Sequence, residues 1–185
     1  MRVALYATCL VDFMRPSVGF AAVQLLEQAG CQVEVPLEQT CCGQPAWNNG
    51  DASNARQLAR QVVDVFHDYD YVVVPSGSCA GMIRRHYPDV LKDDAEYASR
   101  AVELANQSYE LTSFLVDVLG VSQVSGNFRG KLAWHDSCSC LREMQVFEQP
   151  RQLLRSIPGC ELMEIKDHDT CCGFGGTFCV KFPEI

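Results

Sequence analysis

Apolar and polar positions along the chain fall into short runs with two different periods. "RVALYATC" (2–9) is a compact apolar run closed by Thr8 and Cys9, and it predicts a strand over 2–8. "SVGFAAVQLLEQAG" (17–30) repeats its apolar residues at helical spacing and stops at Gly30, a residue suited to ending a helix. "CQVEVP" (31–36) alternates and closes on a proline, which predicts a second strand. "DASNARQLARQVVDVFHDYD" (51–70) opens on capping residues and is amphipathic, hence a helix. "YVVVPSGS" (71–78) reads as a buried strand. The segments 80–91, 95–107 and 110–120 read as helices, and "KLAWHDS" (131–137) restarts the cycle as a strand. Strands alternating with helices predict an α/β fold of parallel sheets joined by right-handed crossovers.

The pattern occurs twice. "RVALYATC" matches "KLAWHDSC" (131–138), "QLLEQAGC" (24–31) matches "QLLRSIPGC" (152–160), and "TCCG" stands at 40–43 and again at 170–173. Cys31 follows Cys9 by 22 residues and Cys160 follows Cys138 by 22; Cys41 follows Cys9 by 32 and Cys171 follows Cys138 by 33. The expected architecture is therefore two tandem, duplicated Rossmann-like units, 1–125 and 126–185. Cys79 lies 37 residues after Cys42, and its counterpart in the second unit would fall beyond Ile185. The second unit is accordingly expected to be truncated.

This architecture gives the cysteines a common address. Parallel strands end at one edge of their sheet, where open α/β sheets place their ligands. Cys9, the Cys41-Cys42 pair and Cys79 follow the first three strands, and Cys138, Cys171 and Cys172 repeat the first three of these positions. Eleven cysteines among 185 residues, in long periodic segments, fit metal or redox chemistry in a reducing compartment better than a disulfide scaffold. Thiolates suit iron–sulfur clusters, zinc or Cu(I). A single ion accommodates adjacent cysteines poorly, whereas a multi-iron cluster offers each a different iron, and this favours iron–sulfur. The alternative is a zinc-binding or vicinal-thiol switch protein.

Charge and hydropathy narrow the classes further. The formal charge is −8 with no Lys/Arg run, which argues against nucleic acid as a partner. No apolar run reaches the ~18 residues of a membrane-spanning helix. The opening "MRVALYATCLVDFMR" is interrupted by Asp12 and Arg15 and reads as a strand and turn rather than a signal peptide, so a cytoplasmic location is expected. No Gly-x-Gly-x-x-Gly fingerprint occurs, so neither nucleotide nor flavin is expected.

Cys, about thirty residues, Cys-Cys-Gly, and a further Cys some thirty-six residues on resembles the cysteine-rich CCG domain. This domain occurs twice in the catalytic subunit of heterodisulfide reductase and in related iron–sulfur subunits such as that of glycolate oxidase. "PSGSCAGM" (75–82), "HDSCSCLRE" (135–143), "CCGFGGTF" (171–178) and "KFPEI" (181–185) bring the chain nearest to the subunits of lactate utilization systems. The resemblance implies an iron–sulfur electron-transfer subunit of an L-lactate oxidation system, rather than an enzyme by itself. A variant within the family makes the cluster itself reactive toward disulfides. The implied cofactor is a four-iron, four-sulfide cluster on Cys9, Cys41, Cys42 and Cys79. A second would sit on Cys138, Cys171 and Cys172. The implied partners are a ferredoxin-type iron–sulfur subunit and a third lactate-utilization protein, with any membrane association made through them. The chain departs from the heterodisulfide reductase pattern at Ser76, where the first cysteine of a Cys-x-x-Cys pair is expected.

Other residues have competing readings. Cys31 and Cys160 open strands and read as core thiols. Cys140 and Cys179 have no first-half counterpart and are candidate substitute ligands. Gly43, Gly173, Gly175 and Gly176 permit positive φ and can turn backbone N–H groups toward sulfur. His135 and Asp136 are candidate proton carriers, or a strand-end pair satisfied by neighbours. Arg142 can offset cluster charge, bind a carboxylate, or lie on a helix surface.

Overall fold

The computed structural model describes residues 1–173 and 181–184. The first part of the chain forms β1 (Arg2–Leu5), α1 (Cys9–Met14), α2 (Pro16–Gln28), β2 (Gln32–Glu34), α3 (Gln44–Asn48), α4 (Ala52–Phe66) and β3 (Tyr71–Val74). Next come α5 (Gly77–Gly81), which runs through π-helical turns at Met82–His86 into α6 (Tyr87–Val90), then α7 (Ala98–Gln107), β4 (Ser108–Glu110) and α8 (Leu111–Ser113). The remainder supplies β5 (Gly130–Trp134), π-helical turns at Ser139–Glu143, α9 (Glu148–Arg155) and β6 (Cys160–Glu164).

Four strands form one parallel sheet in the order β2-β1-β3-β4, with Val3 opposite both Val33 and Tyr71. A second parallel sheet pairs β5 with β6, from Gly130 opposite Cys160 to Trp134 opposite Glu164. Alternation along β1 and β3 builds a core on each face of the larger sheet. Val3, Leu5 and Val73 pack with Ala22 and Leu26 of α2 and with Phe114 and Leu115. Ala4, Tyr6, Val72 and Val74 pack with α4, α7 and the run from α5 to α6. Leu153 of α9 joins the first of these cores, so the second part of the chain shares buried surface with the first.

Several expected elements shift. β1 stops at Leu5 because Thr8 caps a helix: its hydroxyl accepts from the Val11 N–H at 3.3 Å. Cys9 therefore opens α1 rather than closing a strand. The strand β4 falls between two forecast helices and takes Glu110 from the second, a segment too short for periodicity to reveal and held by pairing with β3. Glu110 then caps α8, accepting from the N–H groups of Thr112 and Ser113 at 2.8 and 3.2 Å. Asp51 caps α4 as its residue type predicts, accepting from the Asn54 N–H at 3.1 Å.

Candidate metal centre

The parallel register carries β1, β2 and β3 to a common edge, and the loops leaving that edge bring the first four cysteines together. Cys42 and Cys79 are 3% and 8% exposed and belong to the core on the α4 face. Their sulfurs lie 3.4 Å apart. The Cys41 thiol hydrogen-bonds both its neighbour Cys42 and Cys9, which is exposed at the start of α1. The sulfurs thus form a continuous chain: Cys9, Cys41, Cys42, Cys79.

The chain of sulfurs divides its protons unevenly. Cys42 donates to Cys41, and the Gly43 N–H and Cys9 add to this; against the opposing effect of burial, the Cys41 thiol falls to about 6. Cys42 moves far in the other direction, since it keeps the proton that Cys41 and Cys79 share with it and is buried. Cys79 is lowered by the Cys42 thiol and by the hydroxyls of Ser76 and Ser78. Burial and the nearby Cys41 and Cys79 raise Cys9.

Two tyrosines hold the Cys-Cys loop from below. The Tyr6 hydroxyl donates to the Thr40 carbonyl at 2.5 Å, and the Tyr87 hydroxyl donates to the Cys42 carbonyl at 2.9 Å. Gly43 turns the loop into α3 with φ +81°, in the left-handed region. Neither tyrosine was among the residues singled out from the sequence. Tyr6 carries a weak signal, a hydroxyl on a core-facing strand position beside a cysteine loop. Tyr87 carries none, because its partner is 45 residues away.

The second set repeats several of these contacts. Cys138 hydrogen-bonds Cys171 as Cys9 does Cys41. Gly173, at φ +79°, donates its N–H toward the Cys171 sulfur at 3.5 Å. His135, three residues before Cys138, donates from Nε2 to the Thr170 carbonyl at 3.0 Å, just as Tyr6 serves Thr40. Ser137 Oγ accepts from the Cys140 N–H at 3.4 Å, the counterpart of the Thr8 cap. The Gly173 N–H and Cys138 lower the Cys171 thiol, while burial and Cys171 raise Cys138; the charge of the exposed Arg142 pulls both down. Cys138, Cys171 and Cys172 open on a cavity of about 410 Å³, whose opposite wall is Ser76, Ser78 and His86.

Other singled-out residues take plainer places. Asp136 is 2% exposed and accepts from Arg151 at 2.8 and 2.6 Å and from the Trp134 indole at 3.0 Å, and His168 Nδ1 lies 2.7 Å from its Oδ2. Burial raises its carboxyl, but Arg151 outweighs this and holds it below the usual carboxylate range. His135 is satisfied by Thr170, so the strand-end pair takes its satisfied reading. Arg151 was not anticipated: an arginine in an amphipathic helix gives no sign that it will be 1% exposed. Cys140 packs against the backbone of α5 and hydrogen-bonds Ser137 and the Gly77 N–H; burial pushes its thiol up to about 11. Cys31 is buried with Val3 and Leu5, and Cys160 is half-buried. Gly175, Gly176 and Cys179 lie outside the described residues.

The donor set fits an iron–sulfur group in its chemistry. Four soft sulfurs come from three segments at one sheet edge: the start of α1, the Cys-Cys loop and α5. Beside Cys41, the Thr40 hydroxyl and the Gln39 side-chain oxygen are buried without partners. Among the described residues no group of three or more His, Cys, Asp or Glu side chains is arranged to hold a metal ion.

Comparison with known proteins bears on the same segments. A family model described as a cysteine-rich domain, CCG, matches residues 3–84 and 132–185. The chain belongs to the CCG family. The first CCG segment contains Cys9, Cys41, Cys42 and Cys79, and the second contains Cys138, Cys171 and Cys172. Over all 185 residues the chain is 45% identical to lactate utilization protein A of Oceanobacillus iheyensis, covering 75% of that relative. It is 46% identical to the protein of the same name from Geobacillus kaustophilus and 44% identical to that of Bacillus subtilis, covering 77% of each. No helix of the described residues is long and apolar enough to cross a membrane.

Proposed function

We propose that this CCG protein is an iron–sulfur electron-transfer subunit of an L-lactate oxidation system, acting with partner proteins rather than as an enzyme alone. The observation that carries the reading is the run of four hydrogen-bonded thiols at one sheet edge, in a chain whose relatives are named for lactate utilization. Cys9, Cys41, Cys42 and Cys79 would hold a four-iron, four-sulfide cluster, and Cys138, Cys171 and Cys172 would contribute to a second. When bound, such a cluster takes up and releases one electron. The chain's own residues do the rest. Tyr6 and Tyr87 hold the Cys-Cys loop in place, the Gly43 and Gly173 N–H groups stabilise negative charge on sulfur, and burial of Cys42 and Cys79 keeps water from them.

The repeated contacts of the two cysteine sets support reading 1–125 and 126–185 as two copies of one unit. The partners proposed are a ferredoxin-type iron–sulfur subunit and a third lactate-utilization protein, in the cytoplasm.

The test is iron and acid-labile sulfide per chain in anaerobically purified protein, with EPR spectra of oxidised and reduced samples. About four of each with a paramagnetic signal supports one cluster, and about eight supports two. Cys42→Ser is expected to lose the iron of the first site and the lactate-dependent growth that the protein supports. Protein never exposed to air that carries stoichiometric zinc, or no metal at all, would overturn the reading in favour of a zinc or vicinal-thiol protein.

A further inference from the structure

The surface around Cys9 is apolar where a surface helix is normally polar. Leu10, Phe13 and Met14 of α1 and Phe20 of α2 are exposed, as are Val35 and Leu37 of the loop after β2. Their exposure runs from 41% at Val35 to 93% at Leu37. Phe13, Val35 and Leu37 line a depression of about 350 Å³ whose floor includes Cys9 and Cys41. Leu10 also borders the cavity onto which Cys138, Cys171 and Cys172 open. Exposed apolar side chains grouped around such a depression mark an interaction surface.

The charge around it restricts what can cover it. Within 10–20 and 35–38, the segments that carry the exposed apolar side chains, Asp12 and Glu38 face one basic residue, Arg15. Asp12 lines the depression and Glu38 adjoins Leu37. In a two-fold dimer through this face the acidic rim would meet itself, and like charges across an interface are unfavourable. Anionic lipid is disfavoured for the same reason. A protein with an apolar face rimmed by Lys or Arg matches both features.

We propose that this patch is the docking surface for a redox protein that carries a one-electron centre behind an apolar face rimmed with Lys or Arg. The proposal rests on the electron-transfer reading for the identity of its partner. Docking there would bring the partner's centre over Cys9 and Cys41, the outermost sulfurs of the first set.

Ferricytochrome c, whose haem edge has such a basic rim, serves as the probe. Hydrogen exchange of the intact chain with and without it is expected to show protection at residues 10–20 and 35–38. Phe13→Ser with Leu37→Ser is expected to weaken binding about tenfold. Asp12→Lys with Glu38→Lys is expected to weaken it and flatten its dependence on salt. All four side chains are exposed, so circular dichroism should match the parent. Protection elsewhere, unchanged affinity in the apolar double variant, or a dimer by sedimentation that buries residues 10–20 would each overturn the proposal, the last in favour of a second copy. Iron is assayed on the same samples. Protection without iron would overturn the cluster reading and leave the surface standing; iron without protection would overturn the surface alone.

Discussion

At the scale of single residues, the Cys-Cys pair divides two chemically identical thiols into unlike roles. Cys41 is half-buried and receives hydrogen bonds, whereas Cys42 is buried and gives them. In metal-free protein Cys41 should be a thiolate at pH 7. Its pKa is depressed from the usual thiol range to about 6, so any stabilisation from this charge is present above the unfolded thiol's pKa and lost as the pH falls through 6. Iodoacetamide titrated against pH, with peptide mapping, is expected to modify Cys41 with a midpoint near 6. Cys42 should resist until the protein unfolds. A Cys41 midpoint at the ordinary thiol value would show that Cys42 does not donate to it. Tyr87→Phe keeps the ring and removes only the hydrogen bond to Cys42. It should cost about 1 kcal/mol in urea unfolding and accelerate exchange at 41–43.

At the scale of elements, α5 forms a close seam between the first half and the second. Gly77 and Gly81, one turn apart on α5, receive the π-helical turns at Ser139–Glu143. A Cβ built at Gly77 would stand 2.3 Å from Cys140 Sγ and 2.8 Å from the Cys140 backbone N. Gly77→Ala must therefore part the seam, at about 1–3 kcal/mol by denaturant unfolding. Trimming Cys140 to Ala should restore only part of this, because the backbone clash remains. Within the second half, the buried pair of Arg151 and Asp136, extended to Glu164 at 3.1 Å, ties α9 to the strands β5 and β6. Arg151→Ala strands a buried carboxylate and should destabilise by about 3–5 kcal/mol. The paired change Arg151→Met with Asp136→Leu should cost much less. Equal losses in the two variants would show that packing over Phe147, rather than charge pairing, is what Arg151 supplies.

At the scale of the whole molecule, the core on the α4 face of the larger sheet sets Cys42 and Cys79 among buried apolar side chains. Val72, Val74, Phe66 and Ile83 are fully buried by side chains alone. Removing iron from loaded protein should therefore leave the far-UV dichroism intact while residues 40–43 and 170–173 exchange faster. Small metal-stabilised domains behave differently and unfold when stripped. Cooperative unfolding on chelation would show that the site, not the core, holds this fold.

Much of this was legible in the residues themselves. The apolar runs "RVALY" and "YVVV", the alternation in "CQVEVP", the caps at Asp51 and Gly30, and the twice-written Thr-Cys-Cys-Gly determine the α/β class, the parallel strands and the edge at which the cysteines gather. Each of these signals is local, set by backbone geometry and the period of burial. Tertiary structure alone decided which thiol is buried and which exposed, that Tyr6 and Tyr87 grip the loop, that Arg151 closes on Asp136, that Cys140 packs on Gly77, and that Ser108–Glu110 adds a strand. Those outcomes depend on groups brought together from distant parts of the chain. Burial and hydrogen-bond partnership are properties of that assembly, and the period of a single segment does not contain them.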